Sequence, residues 1–262
     1  GVDQTHPDIN QRPGADFMGG GANGGPGNAC DQHGTPVAGC ISARINNNLG
    51  TVGIAPGTRT ASARLFESNL NCGGGWSTYT SSTIDGLDFA TSIGARVTNN
   101  SNYNAGMVHF ASAGNDNTNG VTYPSSLPTV NAVGAINRNG NKASFSNYGP
   151  DVFVTAPGQA VLSTDRQGSA GYVNGDYVFV NGTSFASPYA AGVAALVLSV
   201  DPTLTPAQVE DILASTADDY GSPGKDNTFG WGVVNANAAV AAVSAGPCSV
   251  ADLAEPFGVL DL

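Results

Sequence analysis

Residues 177–200 read YVFVNGTSFASPYAAGVAALVLSV. Tyr177 to Val180 is a short run of β-branched and aromatic residues, the pattern of a buried strand. Ser184 to Val200 is apolar almost throughout and predicts a helix, with Pro188 near its first turn, where a missing N–H is tolerated. A strand feeding an apolar helix is the repeating unit of an α/β protein.

The same alternation extends in both directions. Upstream, residues 33–44 (HGTPVAGCISAR) put Val37, Ala38 and Ile41 at helical spacing before INNNLG ends the run. Ser82 to Ile93 repeats apolar residues at Ile84, Leu87, Ala90 and Ile93, with Gly94 as the stop signal. Met107 to Ala113, Thr129 to Ile136 and Val152 to Ala156 are further buried strands. Downstream, Thr205-Pro206-Ala207-Gln208 offers an N-cap, a proline at the first helical position and a capping-box residue. Strands interleaved with helices predict a mainly parallel sheet. One interval resists that reading. Between the strand at Arg96 to Asn100 and the next at Met107 only about half a dozen residues remain, whereas a parallel crossover needs a dozen or more. Either the two strands are not parallel neighbours or the sequence lacks residues there.

The length of 262 residues suits one large domain plus a short appendage. We place the domain at 1–243; residues 244–262 read as a linker, SAGP, followed by a tail or the start of a second module, because fifteen residues cannot make a core. Twenty acidic against nine basic residues give a formal charge of −11. Such a field repels phosphates, so neither nucleic acid nor an anionic membrane is an expected partner. The apolar stretch at 190–200 is well short of the ~20 residues that span a bilayer. Four cysteines, Cys30, Cys40, Cys72 and Cys248, allow three complete pairings and lack zinc-finger spacing. Cys40 lies on a helix facing the core, while Cys30 and Cys72 flank loops and are free to pair.

Three segments carry chemistry: Gln32-His33-Gly34-Thr35, Ala111-Ser112-Ala113-Gly114-Asn115, and Asn181-Gly182-Thr183-Ser184-Phe185-Ala186-Ser187-Pro188. A hydroxyl is a weak nucleophile near neutral pH and needs an imidazole to take its proton, while the oxyanion that follows needs donors fixed in advance. Ser184, His33 and Asn115 can supply those functions. Taken singly, Ser184 is an ordinary helix cap, His33 a core or cap histidine and Asn115 a turn residue. His6 reads as a loop-fixing residue and His109 as core.

Jointly and in this order, the segments resemble the histidine, oxyanion-asparagine and serine motifs of the subtilisin-like serine proteases. The likeness extends through GVDQTHPDI at 1–9, INNNLGTVGIAP at 45–56, Tyr123 to Ala135, ASFSNYG at 143–149, Ala156-Pro157-Gly158 and GWGVVNA at 230–236. It implies a three-layer α/β fold with a mainly parallel central sheet flanked by helices, and a secreted, monomeric endopeptidase acting on proteins or peptides after removal of a pro-segment. Ser184 would attack the peptide carbonyl, His33 would shuttle the proton, and the Asn115 side chain with the Ser184 N–H would hold the oxyanion. Substrate contacts carry over to Ser101 and to Ala111, Ser112, Ala113 and Gly114, whose small side chains imply a broad or apolar preference. The resemblance also implies structural calcium, bound by the carbonyls of Ile45, Leu49 and Thr51, the Asn47 side chain and the Asp8 carboxylate.

Some positions depart from the family pattern. The family's catalytic aspartate precedes the glycine that aligns with Gly1, so the group that orients His33 is expected outside this sequence, and Asp3, Asp8 and Asp31 do not replace it. Without it, the chain would be a strongly impaired enzyme, or a relative that binds peptides without cutting them. Pro36, Phe185 and Tyr189 also differ from the usual residues. An α/β-hydrolase esterase is disfavoured, because Gly182-Thr183-Ser184-Phe185-Ala186 lacks the second glycine of its nucleophile turn and the histidine precedes the serine.

Overall fold

The computed structural model describes the chain apart from residues 21, 22, 71, 73, 74, 100–105, 245–257 and 262, with 258–261 described by their backbone. In chain order the elements are β1 (Ala15–Asp16), α1 (Gly34–Ser42), β2 (Arg59–Arg64), β3 (Glu67–Ser68), β4 (Trp76–Ser77), α2 (Thr80–Ser92), β5 (Val97–Asn99) and β6 (Val108–Ser112). They continue with β7 (Asn131–Ile136), β8 (Val152–Pro157), β9 (Gln159–Thr164), β10 (Tyr177–Asn181), α3 (Thr183–Val200), α4 (Pro206–Thr216), α5 (Ala236–Ser244) and β11 (Gly258–Asp261).

Seven strands form one sheet in the order β1-β2-β11-β5-β6-β7-β8, every pair parallel. Alternation along β2 shows how its two faces are covered. Ala61, Ala63 and Leu65 pack with Ala90 of α2, while the Thr60 hydroxyl on the opposite face hydrogen-bonds that of Ser42 on α1 at 3.0 Å. Helices on both faces make three layers, as a parallel sheet requires. The main core lies between the sheet and α3, where Val193, Ala194, Val197 and Leu198 meet Val108, Phe110, Val133 and Val154, closed below by Val209 and Leu213 of α4. This burial explains why α3 is long and apolar enough to cross a membrane by composition alone: 72% of it lies inside the protein.

The capping box predicted at Thr205 is present, with the Thr205 hydroxyl accepting from the Gln208 N–H and the Gln208 side chain accepting in return from the Thr205 N–H. Three expectations are corrected. β5 and β6 are parallel neighbours despite a connection of only eight residues, 100–107, so the first explanation of that short interval fails. Tyr177–Asn181 is not in the central sheet; it forms an antiparallel hairpin with β9, and its alternate residue Phe179 faces solvent. Pro188 is the sixth residue of α3, past the first turn, so the carbonyl that its missing N–H leaves unpaired within the helix is that of Ser184.

Candidate active site

Parallel strands present their carboxyl ends along one edge, and the sequence-predicted residues collect there. Beyond β6 the chain turns sharply at Gly114, whose φ of +112° is left-handed and whose missing side chain leaves room for Asn147. Buried Asn147 fixes the following loop. Its Oδ1 accepts from the N–H groups of Asp116 (2.9 Å) and Thr118 (3.2 Å), and its amide donates to the Ala113 carbonyl at 3.2 Å. Asn115 is thereby held against the start of α3. Its Oδ1 accepts from the Thr183 N–H and from the Thr183 hydroxyl, each at 2.9 Å. Because the oxygen faces a backbone donor, the amide orientation is fixed and the Nδ2 donor is the end left for the cleft.

Ser184 is not the helix cap. Gly182 occupies that position with φ +151°, and Ser184 is the second helical residue, half-buried. The Thr183 N–H is taken by Asn115 and the Phe185 N–H by the Gly182 carbonyl at 3.1 Å. Among the described residues the Ser184 N–H between them has no hydrogen-bond acceptor. A free N–H at the positive end of an 18-residue helix is a ready site for developing negative charge.

His33 stands at the cap position of α1, and its ring packs against that of Phe185 at 5.4 Å between centroids. The residues on either side of Ser184 therefore touch the other two candidates: Thr183 holds Asn115, and Phe185 meets His33. Below His33 lies a charged network. The Gly1 ammonium donates to Asp31 at 2.9 Å, and the fully buried Arg64, last residue of β2, pairs with Asp31 at 2.9 Å and Asp16 at 3.0 Å. Desolvation by the surrounding protein, then the Gly1 ammonium, push the His33 imidazole down to about 4, with Asp31 pulling the other way. The ring keeps an exposed face, so solvent tempers the first of these effects.

The Peptidase_S8 model, the subtilase family, matches residues 1–232. The chain belongs to the subtilase family. Among its relatives, Subtilisin Savinase of Lederbergia lenta is 38% identical over 251 residues, covering 90% of this chain and 86% of the relative. A subtilisin of Bacillus pumilus is 37% identical over 259 residues, covering 91% and 87%. Among solved structures, a protease of Pseudoalteromonas arctica superposes with a TM-score of 0.77 at 31% identity, over 92% of this chain and 87% of that one. Fervidolysin of Fervidobacterium pennivorans, a keratinolytic enzyme related to subtilisin, gives 0.78 at 31% identity over 95% of this chain and 42% of that one. A serine protease on a three-layer α/β frame is the common ground.

The remaining predicted positions of this subtilase separate by burial. Ala111 and Ala113 are 1% and 0% exposed, so their methyl groups pack in the interior and line no open surface. Ser112 and Gly114 are half-buried; the Ser112 carbonyl accepts from the Ser125 hydroxyl at 2.6 Å and the Gly114 N–H donates to the Thr183 hydroxyl at 3.2 Å. Ser101 lies outside the described residues. His6 is buried between Asp8 and Asp176, accepting the Asp8 N–H on Nδ1 at 3.2 Å, and His109 hydrogen-bonds Thr98 inside the core. Cys30 and Cys72 form a disulfide, while Cys40 is a buried thiol. Asn147, Thr183 and Arg64 were not singled out from the sequence. Asn147 had a signal, since it lies within the quoted ASFSNYG segment; Arg64 had none.

Of the residues expected to hold calcium, Asn47 and Thr51 contact Asp8. Its carboxylate is fully buried, accepts from the Asn47 amide at 2.7 Å and the Thr51 N–H at 3.3 Å, and has no cationic side chain in ion-pair range among the described residues. A buried carboxylate without a countercharge, beside an Asn-rich loop whose Asn46 and Asn48 adopt left-handed φ, fits a hard cation. Asn47 now turns its nitrogen to Asp8, so ligation through its oxygen would require the amide to rotate.

Proposed function

We propose that the chain is a secreted serine endopeptidase that cleaves proteins or peptides with broad or apolar preference, and that Ser184, His33 and Asn115 carry the reaction. The observation that supports it most is the pair of contacts flanking Ser184, through Phe185 to His33 and through Thr183 to Asn115. An imidazole held below its ordinary pKa is unprotonated at neutral pH and ready to accept a proton. As the Ser184 Oγ attacks the peptide carbonyl carbon, its proton passes to His33. Negative charge gathers on the former carbonyl oxygen, where Asn115 Nδ2 and the Ser184 N–H donate to it. Collapse breaks the C–N bond, and the leaving amine takes the proton from His33. Water then repeats the sequence on the acyl-enzyme, with His33 again the base, releasing the acid and restoring Ser184.

Calcium, when bound, would supply a structural crosslink: Asp8 from the first loop and Asn47, with the carbonyls of Ile45, Leu49 and Thr51, would hold it away from the reacting groups. We further propose a monomer acting after removal of a pro-segment. The acidic surface, with a net charge of −11, supports peptide rather than nucleic-acid partners.

The test is labelling with a fluorophosphonate followed by peptide mapping. The reading expects a single adduct on Ser184, blocked by prior heat unfolding and accompanied by loss of hydrolysis of an unstructured protein substrate. An intact chain that neither takes the label nor cuts peptide bonds would refute it.

A further inference from the structure

Residues 115–119 stand exposed one after another, and the first of them is the proposed oxyanion donor. An exposed loop with few buried contacts is where a chain opens most easily, yet a donor must keep its place within about 0.5 Å to act on a developing charge. On the inner side Thr183 and Asn147 hold the loop. On the outer side a cation reaches it. The Lys142 ammonium donates to the Asn117 Oδ1 at 2.8 Å, to the Ser146 carbonyl at 2.9 Å and to the Ala143 carbonyl at 3.2 Å, and the ring of Tyr148 lies 5.3 Å from it. An ammonium has three N–H donors, so these three oxygens use them all. Desolvation in this cage lowers the lysine's pKa. The backbone of Lys142 is rooted in the sheet: it bridges to Ile136, the end of β7, and the Ala143 N–H donates to the Ala135 carbonyl at 2.8 Å. Asn117 belongs to the loop, where it adopts φ +53°, uncommon for a residue with a side chain, and donates its N–H to the Phe145 carbonyl at 2.8 Å.

We propose that Lys142 is a positioning residue for peptide cleavage: through Asn117 it ties the exposed loop to the end of β7 and so fixes where Asn115 presents its Nδ2 donor. The inference rests on the serine-protease reading of Ser184, His33 and Asn115. Lys142 has no acidic side chain in ion-pair range among the described residues, and its oxygen partners all come from the two segments that frame Asn115, residues 117 and 143–146. Those segments are laced together by the backbone as well, since Asn147 donates to the Gly114 carbonyl at 2.9 Å and Tyr148 to the Thr118 carbonyl at 3.1 Å. The side-chain bond to Asn117 is the one link that crosses from the cation to the loop itself. Three oxygens converging on one nitrogen suit a compact point charge, which Lys supplies and the planar fork of Arg does not. Loss of this link leaves the inner contacts of Asn115 in place but lets its loop swing, so the effect falls on the geometry of the donor rather than on the binding of substrate.

The test uses the 262-residue chain with Lys142→Met, which removes the charge and keeps an apolar stem, and with Asn117→Gly, which suits a positive φ and removes the acceptor. Lys225→Met, at an exposed lysine of another loop, is the control. Two quantities are read: kcat and KM on a small amide substrate, and hydrogen exchange of the Thr183 N–H, which reports its bond to the Asn115 Oδ1 and needs no activity. We expect each variant to lower kcat by about 10- to 100-fold with KM little changed, and to speed Thr183 exchange severalfold. Asn117→Asp, which offers the ammonium a carboxylate, should keep the parental values, and the control should change neither quantity. In an Asn115→Ala background Lys142→Met should cost no further kcat. Thr183 exchange unchanged in both variants overturns the proposal whether or not the protein cuts peptides. In an active parent, an unaltered kcat, or a loss of kcat that persists undiminished in the Asn115→Ala background, overturns it too. Should Lys142→Met not fold, Asn117→Gly is read alone by the same criteria. Failure of the unaltered chain to label Ser184 refutes the protease reading instead, leaving Thr183 exchange to decide the role of Lys142.

Discussion

Asn115 Oδ1 accepts two hydrogen bonds from one residue, the N–H and the hydroxyl of Thr183, both at 2.9 Å. This double attachment makes the asparagine both a cap for α3 and a fixed donor beside Ser184. Asn115→Ala is expected to lower kcat by about 10²–10³, the loss already established for one oxyanion donor in the related enzyme subtilisin and borrowed from it, with little change in KM. Steady-state kinetics on a small amide substrate check it; an unaltered kcat removes Asn115 from the reaction.

Gly114 sets the same side chain from behind. A Cβ there would collide with the Asn147 amide, in a backbone conformation that L residues rarely adopt. Gly114→Ala is expected to destabilise the fold by roughly 1–3 kcal/mol and to displace Asn115, reducing kcat as well. Urea unfolding paired with kinetics tests this, and a variant as stable and active as the parent contradicts it.

Asp31 is the hinge of the charge network. Burial by itself would raise its pKa, but the Gly1 ammonium, the Gly27 N–H and Arg64 outweigh that and hold the carboxyl below its usual range. A carboxylate with a lowered folded pKa adds stability that is present above its unfolded value, near 3.8, and is lost as pH falls through the folded one. Asp31→Asn leaves Arg64 buried with weaker compensation, for an expected loss of about 3–5 kcal/mol at pH 7 and a flatter acid limb in urea midpoints measured from pH 7 to pH 3.

Removal of calcium should lower the melting temperature. At a free ion concentration of 100 times Kd, one site adds about 2.7 kcal/mol. Melting curves with calcium and with chelator, repeated on Asp8→Asn, should differ for the parent and coincide for the variant. Identical parental curves would count against the ion.

The Cys30–Cys72 disulfide closes a loop with a sequence separation of 42. Loop-closure entropy for that span amounts to about 4 kcal/mol. Reduction under native conditions should lower the urea midpoint accordingly, and non-reducing peptide maps should show the 30–72 pair.

Much of this was legible in the residues. The 3.6-residue spacing at Val37, Ala38 and Ile41 placed α1, and Thr205 with Gln208 placed the start of α4, because both signals are local. The ordered motifs at His33, Asn115 and Ser184 pointed to the family, which the match over residues 1–232 bears out. The sheet order was not legible. A strand as short as Gly258–Asp261 has no periodicity to separate it from a tail, and only long-range pairing with β2 and β5 defines it. The hairpin of β9 and β10 was misplaced for a related reason: YVFV reads as a buried strand, while the exposure of Phe179 is set by where the hairpin lies. Arg64 carries no such signal, since a lone arginine ordinarily belongs at the surface, and its burial depends on Asp16 and Asp31, two carboxylates distant from it in sequence.

One helix does two jobs. α3 offers Ser184 at its first turn and, along the rest of its length, forms a wall of the largest core. Ser184, the proposed nucleophile, therefore has no independent way to loosen: whatever shifts it must also disturb Val193, Val197 and Leu198. On heating, residual activity and tertiary structure should vanish along one curve, and resistance to heat inactivation is best sought in the packing behind the serine rather than in the cleft before it.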